Sequence, residues 1–170
     1  MEWDRFHEIA EKLKIKYSSS DPFELCSAMG VHVRYADIGS LKGMYKYIKR
    51  NYFVLINSSL DRYMARTVCC HELCHHILHR DIARNIGVWD NMLYDMSGGI
   101  EQEANLLSAE IMISDSELLE AACDGRTVEQ VAAELEADKH VVMLKAMSMH
   151  GRGYRLNSAF DVKSDYLGKP

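Results

Sequence analysis

Half of the histidines in this 170-residue chain lie within nine positions. His71, His75, His76 and His79 account for four of its eight. The run His71-Glu72-Leu73-Cys74-His75 reads HExxH. On a helix, residues four apart share one face, so the two imidazoles stand one turn above the other and can ligate one Zn²⁺. Glu72 sits about 100° round the helix, where it can reach an activated water without being a ligand. That division of labour suits peptide hydrolysis: a metal activates water and polarises the carbonyl, and a carboxylate takes the proton and passes it to the leaving amine. At this chain's His and Glu frequencies about 0.03 copies of the motif are expected by chance.

A catalytic zinc commonly has three protein ligands and one open position. A third histidine in the metzincin pattern would need Gly at 78 and His at 81, but Leu78 and Asp81 stand there. The other source is a glutamate from a later helix, and Glu101 and Glu103 are both available. Two residues apart they diverge by about 200°, so one helix does not easily aim both at one ion. Glu101 shares its stripe with Asn105 and Ser108, which offers a carboxylate beside a group able to hydrogen-bond a ligating histidine. Glu103 shares its side with Glu110, which reads as a solvated edge. The spacing therefore favours Glu101 and keeps Glu103 as the alternative. His79 lies on the face of His71 and His75. It fits an alternate ligand, a supporting group, a substrate contact, or a helix-end histidine on the C-terminal dipole. His76 points elsewhere. Tyr45, Tyr47, Tyr52 and Tyr63 precede the metal helix, and any of them can pack in the sheet or stabilise an oxyanion.

The elements that must position these groups are legible in the spacing. Trp3, Phe6, Ile9, Ala10, Leu13 and Tyr17 recur with helical period. Asp21-Pro22 is a cap and first turn for a second helix, stopped by Gly30. From Val31 the period is two, and the segments 31–35, 44–47 and 52–56 read as a small antiparallel sheet of about three strands. Its last two form a hairpin through Lys49-Arg50-Asn51. Arg62 to Arg80 lacks Gly and Pro and reads as the metal helix. Gly87 and Gly98-Gly99 bracket an irregular stretch. Ile100–Ile113, Ser114–Cys123, Thr127–Glu136 and Lys139–His150 follow as helices, and the tail after Gly151 reads as loose. The expected class is α+β in a single domain: a core over residues 1–125, a helix pair packed on it over 126–150, and a tail over 151–170.

Composition agrees with that class. The chain is 48% hydrophobic and 26% charged, which excludes a disordered tail, a collagen and a coiled-coil rod. No apolar run approaches the roughly 20 residues of a membrane span. The acidic, amphipathic start resembles neither a signal nor a transit peptide, which points to a cytoplasmic protein whose five cysteines are reduced. Cys69 and Cys70 read as small buried apolar residues. A net charge of −5 argues against broad nucleic-acid binding.

HELCHHILH followed by EQEANLLSAEIMIS resembles the ImmA/IrrE family of bacterial and phage metallopeptidases. The Asp21-Pro22 helix and the LKGMYKY and INSSL segments are similar to it as well, so the likeness runs from about residue 20 to 150. The aliphatic run departs from the family pattern at Ile111-Met112-Ile113-Ser114, which lacks a proline, and at Leu106-Leu107-Ser108, where an aromatic is usual. The resemblance implies a compact zincin-like core and a zinc endopeptidase of gluzincin type. It implies His71, His75 and Glu101 as ligands and Glu72 as base. It also implies a protein substrate, typically a helix-turn-helix repressor controlling a mobile element or a stress response.

Two other readings remain open to the sequence. The pair 127–136 and 139–150 has helix-turn-helix spacing, suited to docking a repressor or to reading DNA. Arg126, Lys139 and Lys145 are outnumbered there by Glu129, Glu134, Glu136 and Asp138, which disfavours DNA. A metal-holding regulator without turnover is the other, but it has no need of Glu72.

Overall fold

The computed structural model describes residues 2–81 and 99–160. The irregular stretch expected between Gly87 and Gly98, and the last ten residues, lie outside them. The described elements are α1 (Glu2–Tyr17), α2 (Pro22–Ala28), β1 (Val31–Ala36), β2 (Gly43–Ile48), β3 (Asn51–Asn57), α3 (Arg62–Leu78), α4 (Gly99–Met112), α5 (Asp115–Cys123), α6 (Val128–Glu134), α7 (Lys139–Gly151) and a 3₁₀ turn (Ser158–Phe160). The class is α+β, as expected.

Local chemistry explains where the elements begin. The Asp21 carboxylate accepts from the amides of Phe23 and Glu24, with Pro22 opening α2. Asp61 caps α3 by accepting from Met64 N at 2.8 Å. Ser114 with Glu117, and Thr127 with Gln130, form reciprocal capping boxes at α5 and α6.

The sheet order is β1-β3-β2. β2 and β3 form the expected hairpin, with Ile48 opposite Asn51. β1, however, runs parallel to β3, so the sheet is mixed rather than wholly antiparallel. The chain passes from β1 to the far edge, turns, and inserts β3 between the two earlier strands. Tyr52-Phe53-Val54-Leu55-Ile56 is the most continuous apolar run of the three, and it takes the only position with a neighbour on each side. Asn57 secures the crossover, its amide donating to the carbonyls of Gly39 and Leu41 at 2.9 and 2.7 Å.

α3 is the central helix, and every side chain from Thr67 to His76 is buried. β2 and β3, α2, and α4 all pack against it. Cys26, Cys69, Cys70 and Cys74 are buried thiols of this core, and Cys123 is exposed. α1 and α7 close the opposite side of α4.

Two sequence expectations change here. Glu110 is fully buried, not a solvated edge. Its carboxylate accepts from Lys145 Nζ at 2.6 Å, from Ser148 Oγ, and lies 3.0 Å from His7 Nδ1. Lys145 also reaches Asp115 at 2.6 Å, and Arg152 makes two bonds to Asp115, at 2.6 and 2.7 Å. Burial works against both carboxylates, but Lys145 and Arg152 hold them below the ordinary range. The charges thus tie α1, α4, α5 and α7 together. The segment after Gly151 is also less loose than expected: Phe160 is fully buried, and Asn157 donates to Ala122 O at 2.6 Å.

Candidate metal centre

His71 and His75 project from one face of α3 toward the first turn of α4. Their Nε2 atoms are 3.2 Å apart. Glu101 closes the triangle, with Oε2 at 3.2 Å from His71 Nε2 and Oε1 at 3.5 Å from His75 Nε2. The two histidines are buried and Glu101 is 13% exposed. A tetrahedral ion with bonds near 2.05 Å sets its donor atoms about 3.3 Å apart, and each nitrogen stands near that spacing from the other and from one oxygen of the Glu101 carboxylate, which suits one small cation. All three side chains offer atoms within 4.8 Å of one another. Two imidazole nitrogens with one carboxylate suit a divalent transition-type cation.

Burial disfavours ionisation of Glu101, but the neighbouring His71 and His75 outweigh it and draw its carboxyl down to about 2. Burial likewise opposes the charge on His71, yet Glu101 and Glu72 raise its pKa. His75 is lowered, by burial first and by its histidine neighbours as well.

Glu72 is buried one position from His71 on α3. β2 crosses close above it. A Cβ on Gly43 would lie 3.0 Å from Glu72 Oε1 and would overlap Val68 Cγ1, so only glycine lets the strand approach. Gly43 was not singled out in the sequence, and the turn of period that opens β2 was its only local signal.

Glu103 does not face His71 or His75 in this arrangement. Its Oε2 is 3.1 Å from His79 Nε2, and His79 Nδ1 is 3.1 Å from His75 Nδ1. Asn105 acts on the His71 ring from one turn beyond Glu101. His76 belongs to the core: Arg80 donates to its Nε2 at 2.7 Å, which leaves Nδ1 to donate to Tyr45 Oη at 2.7 Å. Tyr47 packs on Tyr52 with ring centroids 4.8 Å apart, and Tyr63 is half exposed at the start of α3.

A helix bearing HExxH, packed against a second helix that presents a carboxylate, is the centre of a metallopeptidase-type protein. Comparison with known sequences agrees: the Peptidase M78 family, described as the IrrE N-terminal-like domain, matches residues 26–155, and the chain belongs to this ImmA/IrrE family. Immunity region protein 2 of Bacillus phage phi105 is 34% identical over 106 residues, covering 62% of this chain and 66% of that protein. Metallopeptidase ImmA of Bacillus subtilis strain 168 is 24% identical over 156 residues, covering 89% of each.

Proposed function

We propose that the chain is a zinc-dependent endopeptidase that cuts a regulatory protein, with a helix-turn-helix repressor as the substrate class. The observation that carries this reading is the convergence of His71 Nε2, His75 Nε2 and the Glu101 carboxylate within 3.2–3.5 Å, with Glu72 beside them. His71, His75 and Glu101 would hold the ion. A zinc ion bound there supplies Lewis-acid activation of water and of the scissile carbonyl. Glu72 takes the proton from the attacking water and returns it to the leaving nitrogen. Its burial under β2 keeps that carboxylate aimed and away from bulk solvent.

The names of the relatives, a metallopeptidase and a phage immunity-region protein, support the direction of this reading. Among the described residues no helix is long and apolar enough to cross a membrane, and the proposed site of action is the cytoplasm. DNA is not the proposed partner. On the α6–α7 pair, Lys145 is buried in ion pairs and Arg126 is engaged by Asp124 and Glu134. That pair is better suited to docking a protein.

The test is to incubate metal-loaded protein with the repressor encoded beside its gene and to look for cut products. Glu72→Gln should retain one zinc per chain and yield no products. Cleavage by Glu72→Gln at the wild-type rate overturns the mechanism.

A further inference from the structure

We propose that His79 and Glu103 form a positioning pair that fixes the tautomer and orientation of His75 through its outer nitrogen. The inference rests on the metal reading of the site and goes beyond it by assigning two residues that hold no ion.

The connectivity is a single file from the site to the surface. His75 turns Nε2 toward His71 and Glu101 and Nδ1 toward His79. His75 Nδ1 and His79 Nδ1 are 3.1 Å apart, and His79 Nε2 and Glu103 Oε2 are 3.1 Å apart. Arg5 donates to the other Glu103 oxygen at 3.5 Å. His75 is 2% exposed, His79 8% and Glu103 29%, so the chain opens toward water only at its far end.

Along the file from His75 Nδ1 to Glu103, one arrangement of protons satisfies both links with neutral rings. A carboxylate accepts and does not donate, so His79 carries its proton on Nε2. His79 Nδ1 is then an acceptor, and the proton it receives is the one on His75 Nδ1. This leaves the lone pair of His75 on Nε2, the atom that faces His71 and Glu101. Histidines that hold metals usually give their second N–H to a carboxylate or a carbonyl, which sets the ring and raises its basicity. Here a second imidazole stands between the histidine and the carboxylate.

The same geometry excludes His79 as a ligand of the same ion. The two nitrogens of an imidazole lie on different edges of the ring. His79 meets the Nδ1 edge of His75, whereas His71 and Glu101 meet the Nε2 edge. The His79 backbone is held too, as the C-cap of α3, with its N–H bonded to His75 O at 2.9 Å. The two-residue spacing of Glu101 and Glu103 then has a use. It prevents both from reaching one ion, but it lets one helix serve both edges of the histidine ladder.

Two measurements on the purified full chain test this. Long-range ¹H–¹⁵N correlation spectra of the metal-free protein at mildly alkaline pH should show His75 protonated at Nδ1 and His79 at Nε2. Glu103→Ala should erode that preference. Zinc affinity, measured by competition with a chromophoric chelator, should fall roughly 10- to 100-fold in His79→Ala and Glu103→Ala. Glu103→Gln, which keeps an acceptor oxygen on a partly exposed side chain, should recover part of the loss and fold normally. Unchanged affinity with unchanged tautomers in the variants overturns the positioning role. If wild type binds no zinc yet shows the expected tautomers and their loss in Glu103→Ala, the pair stands and the metal reading falls.

Discussion

Gly43 on β2 lies so close to Glu72 on α3 that a methyl group added to the glycine would come to 3.0 Å from the carboxylate oxygen and would overlap Val68. The strand edge and the proposed general base are therefore spaced by the absence of a side chain.

Gly43→Ala is accordingly expected to cost about 1–3 kcal/mol, because Val68 is β-branched and has little room to yield. Denaturant unfolding gives the stability change. Zinc stoichiometry should be unaffected while peptide cleavage falls, since the residue displaced is Glu72. A midpoint equal to that of wild type would show that the strand can simply shift.

The two glutamates of α4 should separate by metal content. Glu101→Ala removes the carboxylate whose two oxygens face His71 and His75, and the isolated protein should lose its stoichiometric ion. Glu103→Ala should retain the ion at saturating zinc and differ only in affinity. His75→Ala should lose the ion. Stoichiometric zinc in Glu101→Ala, measured by atomic emission, would remove Glu101 from the ligand set.

The buried ion pairs of α4, α5 and α7 make a stability prediction. Lys145→Met strands the Glu110 carboxylate in the core, and removing one partner of a buried pair costs roughly 3–5 kcal/mol. A loss under about 1 kcal/mol in denaturant unfolding would contradict the pairing. Combining Lys145→Met with Glu110→Gln should recover part of the loss.

The same network sets an acid dependence. Glu110 and Asp115 are shifted below the ordinary carboxylate range despite burial, by Lys145 and Arg152. A depressed carboxylate contributes stability that is fully present above its unfolded pKa and is lost as pH falls toward its folded pKa. Wild-type stability should therefore decline from about pH 5 downward. Against a double-substituted Glu110→Gln/Asp115→Asn reference, the part of the slope owed to these groups should vanish. Parallel profiles would refute the assignment.

The β2–β3 turn carries Lys49 and Arg50 at φ of 48° and 67°. Both central positions are left-handed, the two-residue form that favours Asn-Gly. Lys49→Asn combined with Arg50→Gly should stabilise the protein by about 1 kcal/mol. An unchanged or lower unfolding midpoint would argue against the strain.

Much of this protein is written in neighbouring residues. The caps at Asp21, Asp61, Ser114 and Thr127, the two-residue turn, and the four-residue step from His71 to His75 are short-range features. Their physics is complete within one turn of chain, so the helices, the hairpin and the histidine face are legible from the sequence. What the spacing misread or left open required distant segments to meet. The parallel pairing of β1 follows from β3 taking the centre of the sheet, which depends on how three strands share one apolar face. Burial of Glu110 depends on Lys145, thirty-five residues away. Spacing on α4 favoured Glu101 over Glu103 by the company each keeps on its own helix, and carried nothing about which histidine each would face. That was settled by the rotation and height of α4 against α3, since a carboxylate's partner is chosen by packing between helices and not by periodicity within one.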